Sequence, residues 1–289
     1  MMTIGRFDVR SVVTGTMRLD GGAMFGVVPK VLWEKVADVD ARNRIRLCTR
    51  TLLAVNRSDR RVILVDTGCG TKWTPEKADR FAISYDETAI PSALAAQGLS
   101  VDDVTDVVIT HLHFDHNGGL TDWEDDPDGP TRLRYPCARH WVHRGHWEHA
   151  HRPHLRDQAS FFQEDFLALA DAGVIEWVEG DEPAPAFDGL SWIVTHGHTP
   201  YQLHPLIGTG PAQLLFAGDT VPTVAHLRAG WVMAYDMEPV RTIHEKQAMY
   251  RRCFEEGALL AFPHDPAHGG AAIDGSPERP IVAHVLPLD

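Results

Sequence analysis

Four side chains able to bind a metal fall within six residues of this chain: His111, His113, Asp115 and His116, in Thr110-His111-Leu112-His113-Phe114-Asp115-His116-Asn117-Gly118-Gly119. Neutral imidazoles and carboxylates are donors for zinc and related first-row ions. Alternate residues of an extended segment point the same way, so His111 and His113 can converge on one ion. Asp115 and His116 are adjacent, and their side chains diverge towards a second position. Gly118 and Gly119 let the backbone turn sharply and come close. The run follows Val104 to Ile109, a mainly apolar stretch that reads as a buried strand. Open α/β folds place their active sites at such strand ends.

Further donors occur downstream, each after a short apolar run. His198 stands in Gly197-His198-Thr199-Pro200, Asp219 in Phe216-Ala217-Gly218-Asp219, and His264 in Phe262-Pro263-His264-Asp265. His196 competes with His198 for the first of these places. A carboxylate at Asp219 has two oxygens and can reach two ions.

This HxHxDH pattern with downstream His, Asp and His resembles the metallo-β-lactamase superfamily over nearly the whole chain. The resemblance implies an α/β fold, an αββα sandwich with a two-metal hydrolytic site. It assigns His111, His113 and His198 to one ion, Asp115, His116 and His264 to the other, and Asp219 to both. Zinc is the leading expectation for the metal, with manganese, iron and cobalt as alternatives. Two such ions activate water for attack on a carbonyl. Asp115 is then the residue that hands a proton to the leaving alkoxide. Asp66, in Asp66-Thr67-Gly68-Cys69-Gly70, is expected to support the metal loop and not to ligate.

The stretch from Asp20 to Trp33, with DGGAMFGVVPK followed by LW, is similar to a bacterial lactonase-like subgroup of that superfamily. There the corresponding N-terminal loop, here about 18–35, lines the substrate pocket. Met24 and Phe25 are therefore expected substrate contacts. Several homoserine-lactone lactonases carry a substrate-contacting tyrosine three residues after the bridging Asp, and this chain has Pro222 there. His226 is expected to offer a hydrogen bond in its place. The leading function is a lactonase opening N-acyl-homoserine lactones or similar lactones. The alternatives are an aryl esterase or phosphotriesterase, a thioesterase, and a mono-iron oxidoreductase of the persulfide dioxygenase type.

The elements that must position these residues read as follows. Residues 4–14 form a first strand, 18–35 a loop without clean periodicity, and 44–56 with 61–66 a hairpin. Thr88 to Gln97 is a short helix stopped by Gly98. Residues 121–130 are an acidic, turn-rich excursion, and 158–172 a helix ending at Gly173. Strands are expected at 175–178, 190–194, 213–218 and 258–262, and Pro239 to Glu256 is the last long helix. A single domain over 1–289 is expected, with a variable insertion at about 121–172. Within it His140, His143, His146, His149, His151 and His154 form an unusual cluster. Arg144, Arg152 and Pro153 interrupt the series and no cysteine completes it. This segment is expected at a rim or surface, without a metal.

The net charge of −13 disfavours nucleic acid as a partner. No run approaches the roughly 18 apolar residues of a membrane span. The N-terminus lacks a basic region followed by an apolar core. Cys48, Cys69, Cys137 and Cys253 are scattered, as suits reduced thiols in a cytoplasmic protein. The expected partner is a small-molecule substrate, with no membrane, and a homodimer is left open.

Overall fold

A computed structural model describes residues 1–127, 129–210 and 212–288. Sixteen strands are described. In chain order they are β1 (Met2–Ile4), β2 (Phe7–Asp20), β3 (Arg44–Asn56), β4 (Arg61–Val65), β5 (Ser84–Tyr85), β6 (Asp106–Val108), β7 (Thr121–Trp123) and β8 (Thr131–Leu133). There follow β9 (Arg139–His143), β10 (Ile175–Val178), β11 (Leu190–Thr195), β12 (Gln202–Thr209), β13 (Ala212–Phe216), β14 (Leu259–Ala261), β15 (Gly270–Ser276) and β16 (Arg279–Val285). One sheet runs β1-β2-β3-β4-β6-β9-β10, with β5 added to β2, and the other runs β11 to β16 in sequence order. β7 and β8 form a separate hairpin.

Alternation along the strands makes this a four-layer molecule. In β4, Ile63 and Val65 enter a core shared with Leu203, Ile207, Leu214 and Phe216 of the second sheet, so the two sheets face each other there. Their neighbours Val62 and Leu64 point outward, against Ile90 and Leu94 of the helix Ala89–Ala95. On the far side Leu215 and Leu260 pack on Met249 and Tyr250 of the helix Pro239–Glu256. The layers are helix, sheet, sheet, helix: the αββα sandwich. The last helix begins with Pro at its first turn and stops at Gly257, where φ is +74°.

Three expected elements differ. The first strand, expected at 4–14, turns at Gly5 and Arg6 into the antiparallel pair β1 and β2. The stretch 18–35 is not a plain loop. β2 runs on to Asp20, whose carboxylate caps the short helix Gly21–Phe25, and Lys30–Trp33 forms a second turn of helix. Segments this short give no readable period. The expected helix at 158–172 breaks into two 3-10 turns, Gln158–Ser160 and Gln163–Asp165, before the helix Leu167–Ala172. The acidic excursion is the turn of the β7–β8 hairpin, of which Asp128 lies outside the described residues. Among the described residues no helix is long and apolar enough to cross a membrane.

Candidate metal centre

β6 lies between β4 and β9, parallel to both, and delivers the metal loop at its C-terminal end. Asp66, just after β4, holds the start of that loop. Its Oδ1 accepts from the Thr110 amide at 2.8 Å and its Oδ2 from the Thr110 hydroxyl at 2.8 Å. Asp66 has φ of +57°, costly for a residue with a side chain, and its three polar contacts compensate. Gly118 and Gly119 serve close approach. A Cβ on Gly118 would sit 2.2 Å from the Cys69 carbonyl oxygen, and one on Gly119 2.4 Å from that of Thr67. The two loops can therefore dock backbone to backbone.

The fold brings all seven expected ligands together in two buried groups, His111 with His113 and His198, and Asp115 with His116, Asp219 and His264. Within each group the donor atoms lie within 4.8 Å of one another. His198 Nε2 is 3.2 Å from His113 Nδ1, and His264 Nε2 is 3.0 Å from His116 Nε2. Asp219 stands between the groups. Its Oδ1 is 3.2 Å from His116 and 3.1 Å from His264, while its Oδ2 is 3.5 Å from His198. Asp115 Oδ2 is 3.5 Å from His264 Nε2.

The outward nitrogen of most rings is already engaged, which fixes the ring and aims the other nitrogen inward. His116 Nδ1 contacts Asp66 at 2.8 Å, His198 Nδ1 contacts Asp236 at 3.0 Å, His264 Nδ1 contacts the Cys48 carbonyl at 2.8 Å, and His111 Nδ1 contacts the Thr110 hydroxyl at 3.0 Å. His111 Nε2 is buried with no hydrogen-bond partner among the described residues. Burial pushes His111 and His113 well below the ordinary imidazole range. Burial also opposes protonation of His116, but Asp219, Asp115 and Asp66 outweigh it and raise that ring well above the ordinary range. Buried ring nitrogens gathered beside carboxylates, without a thiolate, suit divalent cations of the zinc class. The donor set fits the metals that the sequence implies.

The other expected residues divide. Met24 lines the pocket over the metal groups, with Leu19, Phe81, Phe114, Met233 and Tyr235. Phe25 does not. Both side chains are 1% exposed, but the Phe25 ring is stacked on Trp33 at 5.3 Å and on His226 at 4.6 Å. His226 is also absent from the wall, because its Nε2 is spent on the Met24 carbonyl at 2.8 Å and its Nδ1 on the Thr223 hydroxyl at 2.8 Å. Both residues set the Met24 segment from behind and are not placed to touch a substrate. His196 turns away to Asp181. Cys69 is a buried thiol pushed well up by burial.

The His-rich segment is a partial correction. His140, His143 and His146 are buried, on β9 and on the helix Arg144–His151, and only His151 and His154 are exposed. His146 accepts from the Leu112 amide at 2.8 Å and contacts the Pro200 carbonyl at 2.8 Å, so it ties the metal loop to the His198 loop. Asp236 and Glu245 are also supports that local sequence did not reveal. Glu245 accepts from the backbone amides of His196 and Gly197, at 2.8 and 2.9 Å. Neither residue is near a ligand in sequence, so no spacing could have exposed it.

Buried imidazoles outside the ligand set have a measurable consequence. Burial lowers His140 to about 4, and His204 and His226 to about 3. Each stays neutral in the folded chain while the unfolded chain takes up a proton below about pH 6.5. Their contribution to stability is therefore present above that pH and is lost as pH falls towards 4. Each accounts for up to about 1.4 kcal/mol per pH unit. The melting temperature should fall between pH 7 and pH 5, and less steeply in His140→Gln. A His140→Gln variant with the same pH dependence as the wild type would show that the His140 ring is charged in the fold.

Fold and site together define a class, in which residues from strand ends converge as paired metal-donor groups between two facing sheets. The chain belongs to the metallo-beta-lactamase superfamily, whose family model matches residues 50–278. Among curated proteins it is similar to the N-acyl homoserine lactonase AttM of Rhizobium radiobacter, at 26% identity over 180 residues. That match takes in 60% of this chain and 62% of the relative, so it spans less than two thirds of the relative's length. AttM of Azorhizobium caulinodans is 27% identical over 207 residues, 68% of this chain and 69% of the relative. Among solved structures, a probable metal-dependent hydrolase from Staphylococcus aureus is 26% identical, with a TM-score of 0.85 over 99% of this chain and 100% of that one. AidC, described as a dizinc quorum-quenching lactonase, shares the fold at 16% identity, with a TM-score of 0.75 over 99% of this chain and 97% of that one.

Proposed function

We propose that this chain is a metal-dependent hydrolase with two divalent ions, most simply zinc, and that it opens N-acyl-homoserine lactones or similar neutral lactones, as in quorum quenching. One observation carries the reading: the Asp219 carboxylate is turned between the two donor groups at the floor of a pocket whose wall is otherwise largely apolar. When bound, the ions supply Lewis acidity and bring the pKa of water towards neutrality. The chain's own residues do the rest. Leu19, Met24, Phe81, Phe114 and Met233 exclude water and receive an acyl chain. Asp115 lines the same pocket and moves the proton to the departing alkoxide. Tyr235 supplies a phenol from a loop other than the one holding Pro222. Partial burial, then Asp20 and Asp115, push it up to about 12, so at neutral pH it keeps its proton and donates to a carbonyl oxygen. The similarity to AttM and AidC supports the same substrate class.

Elemental analysis of protein purified without added metal, joined to a panel of lactones, aryl esters, phosphotriesters and thioesters, tests this. Two ions per chain and turnover of lactones first are expected. One tightly held iron and no second ion would sink the hydrolase reading. Turnover of esters or thioesters with no lactone opened would move the substrate.

The pocket wall also predicts how acyl length is read. Each buried methylene contributes up to about 0.8 kcal/mol, so kcat/KM should rise with chain length until the wall is covered. Phe81, against Phe114 at 5.3 Å, is placed to read it. Phe81→Ala should lower kcat/KM for long acyl chains more than for short ones. Phe25→Ala should lower stability, by roughly 3–5 kcal/mol for a buried phenylalanine, with similar kinetic losses at every length. The reverse pattern in the two variants would mean that Phe25 faces the substrate after all.

A further inference from the structure

Outside the metal groups, the pocket wall holds a buried carboxylate that the proposed reaction does not use. Asp157 is 5% exposed and lines the same pocket as His113, His198, Asp219 and His264. Its Oδ2 is 2.7 Å from His149 Nε2, whereas its Oδ1 is buried with no hydrogen-bond partner among the described residues. The cation next to it does not serve it. Arg156 turns its guanidinium to the Asp236 carbonyl, at 3.2 Å, and to that of Ala234. His149 is in turn held edge-on to Phe161 at 5.7 Å, and Phe161 to His113 at 4.8 Å. The acceptor is thus fixed relative to the metal groups through packed rings. A buried carboxylate oxygen without a donor is costly, and a site built to accept a hydrogen bond discriminates strongly against a ligand lacking the donor.

We propose that Asp157 is a specificity-determining residue, whose unpartnered oxygen accepts a hydrogen bond from an N–H group on the acyl part of the substrate. This rests on the lactone reading above and names what that substrate must carry. It gives His149 of the His-rich segment a purpose: its ring engages one carboxylate oxygen of Asp157 and leaves the other without a protein donor among the described residues. A carboxylate in the wall also repels a substrate with an acidic group at that point.

The test compares an N-acyl homoserine lactone with its N-methyl analogue, which lacks the donor, on the metal-loaded protein. The ring-opened acids of the same pair are titrated by calorimetry. The wild type should favour the N–H compound by about tenfold or more in kcat/KM and in binding. In Asp157→Ala that ratio should fall to within about twofold. His149→Gln should keep it, because an amide can still donate to Oδ2. A wild type that does not distinguish the two compounds, or a ratio unchanged in Asp157→Ala, would overturn the proposal. If no lactone is opened, the lactone reading fails, and the calorimetric ratio still decides whether Asp157 reads an N–H.

Discussion

Asp219→Ala is expected to abolish turnover and to release metal from both donor groups at once. Its two oxygens point to different groups, Oδ1 to His116 and His264 and Oδ2 to His198, so a single substitution removes a donor from each. Removing an outer partner of a ligand typically costs roughly 10–100-fold in metal affinity or activity, and a ligand shared by both groups should cost more. Asp236→Ala provides that comparison, since it only frees the outer nitrogen of His198. His264→Ala should weaken one group and leave the other loaded. Metal content after dialysis, measured beside kcat, separates the three. If Asp219→Ala kept two ions, or His264→Ala kept full metal and full turnover, the assignment of ligands would be wrong. His268 would then be the next candidate.

Lys72→Met is expected to cost more stability than any surface charge change, although Lys72 touches no ligand. Its ammonium is almost fully buried, donates to the carbonyls of Gly118 at 2.7 Å and Thr121 at 2.6 Å, and pairs with Asp165 at 3.1 Å. It therefore closes the exit of the metal loop. Removing one partner of a buried pair costs roughly 3–5 kcal/mol. Burial raises the Asp165 carboxyl to about 6 even though Lys72 pulls the other way. Without Lys72 that carboxyl should rise further and meet the loss by taking a proton. A folded carboxyl with a raised pKa lowers stability as pH climbs through the range between its unfolded and folded values. The deficit of Lys72→Met should accordingly be larger at pH 8 than at pH 5. Denaturant titrations at both values measure it, and adding Asp165→Leu should recover most of the difference. A deficit independent of pH would place the cost in the two carbonyls alone.

Much of the metal centre was legible because its ligands sit in short local patterns. The stretch Val104 to Ile109 reads as a buried strand, its centre Asp106–Val108 is one, and the donors emerge just past its end. The seven ligands are therefore readable one loop at a time, as are Asp66 in its turn and the helix Pro239–Glu256 between its proline and Gly257. Strand β12 escaped because its residues are buried on both faces and show no alternation. The short helices around Met24 escaped because four or five residues do not complete a hydrophobic period.

What the tertiary structure alone decided is which side of each segment faces the ligand. Met24 and Phe25 are neighbours of similar character, yet the cap at Asp20 and the ring stack with His226 turn one to the pocket and the other to the core. Tyr235, Asp157 and Lys72 reach the site from loops whose sequences carry no sign of it. Sequence spacing encodes contacts within a few residues along the chain. Contacts made across layers depend on how the layers are stacked, so the ligand set was local knowledge and the pocket wall was not.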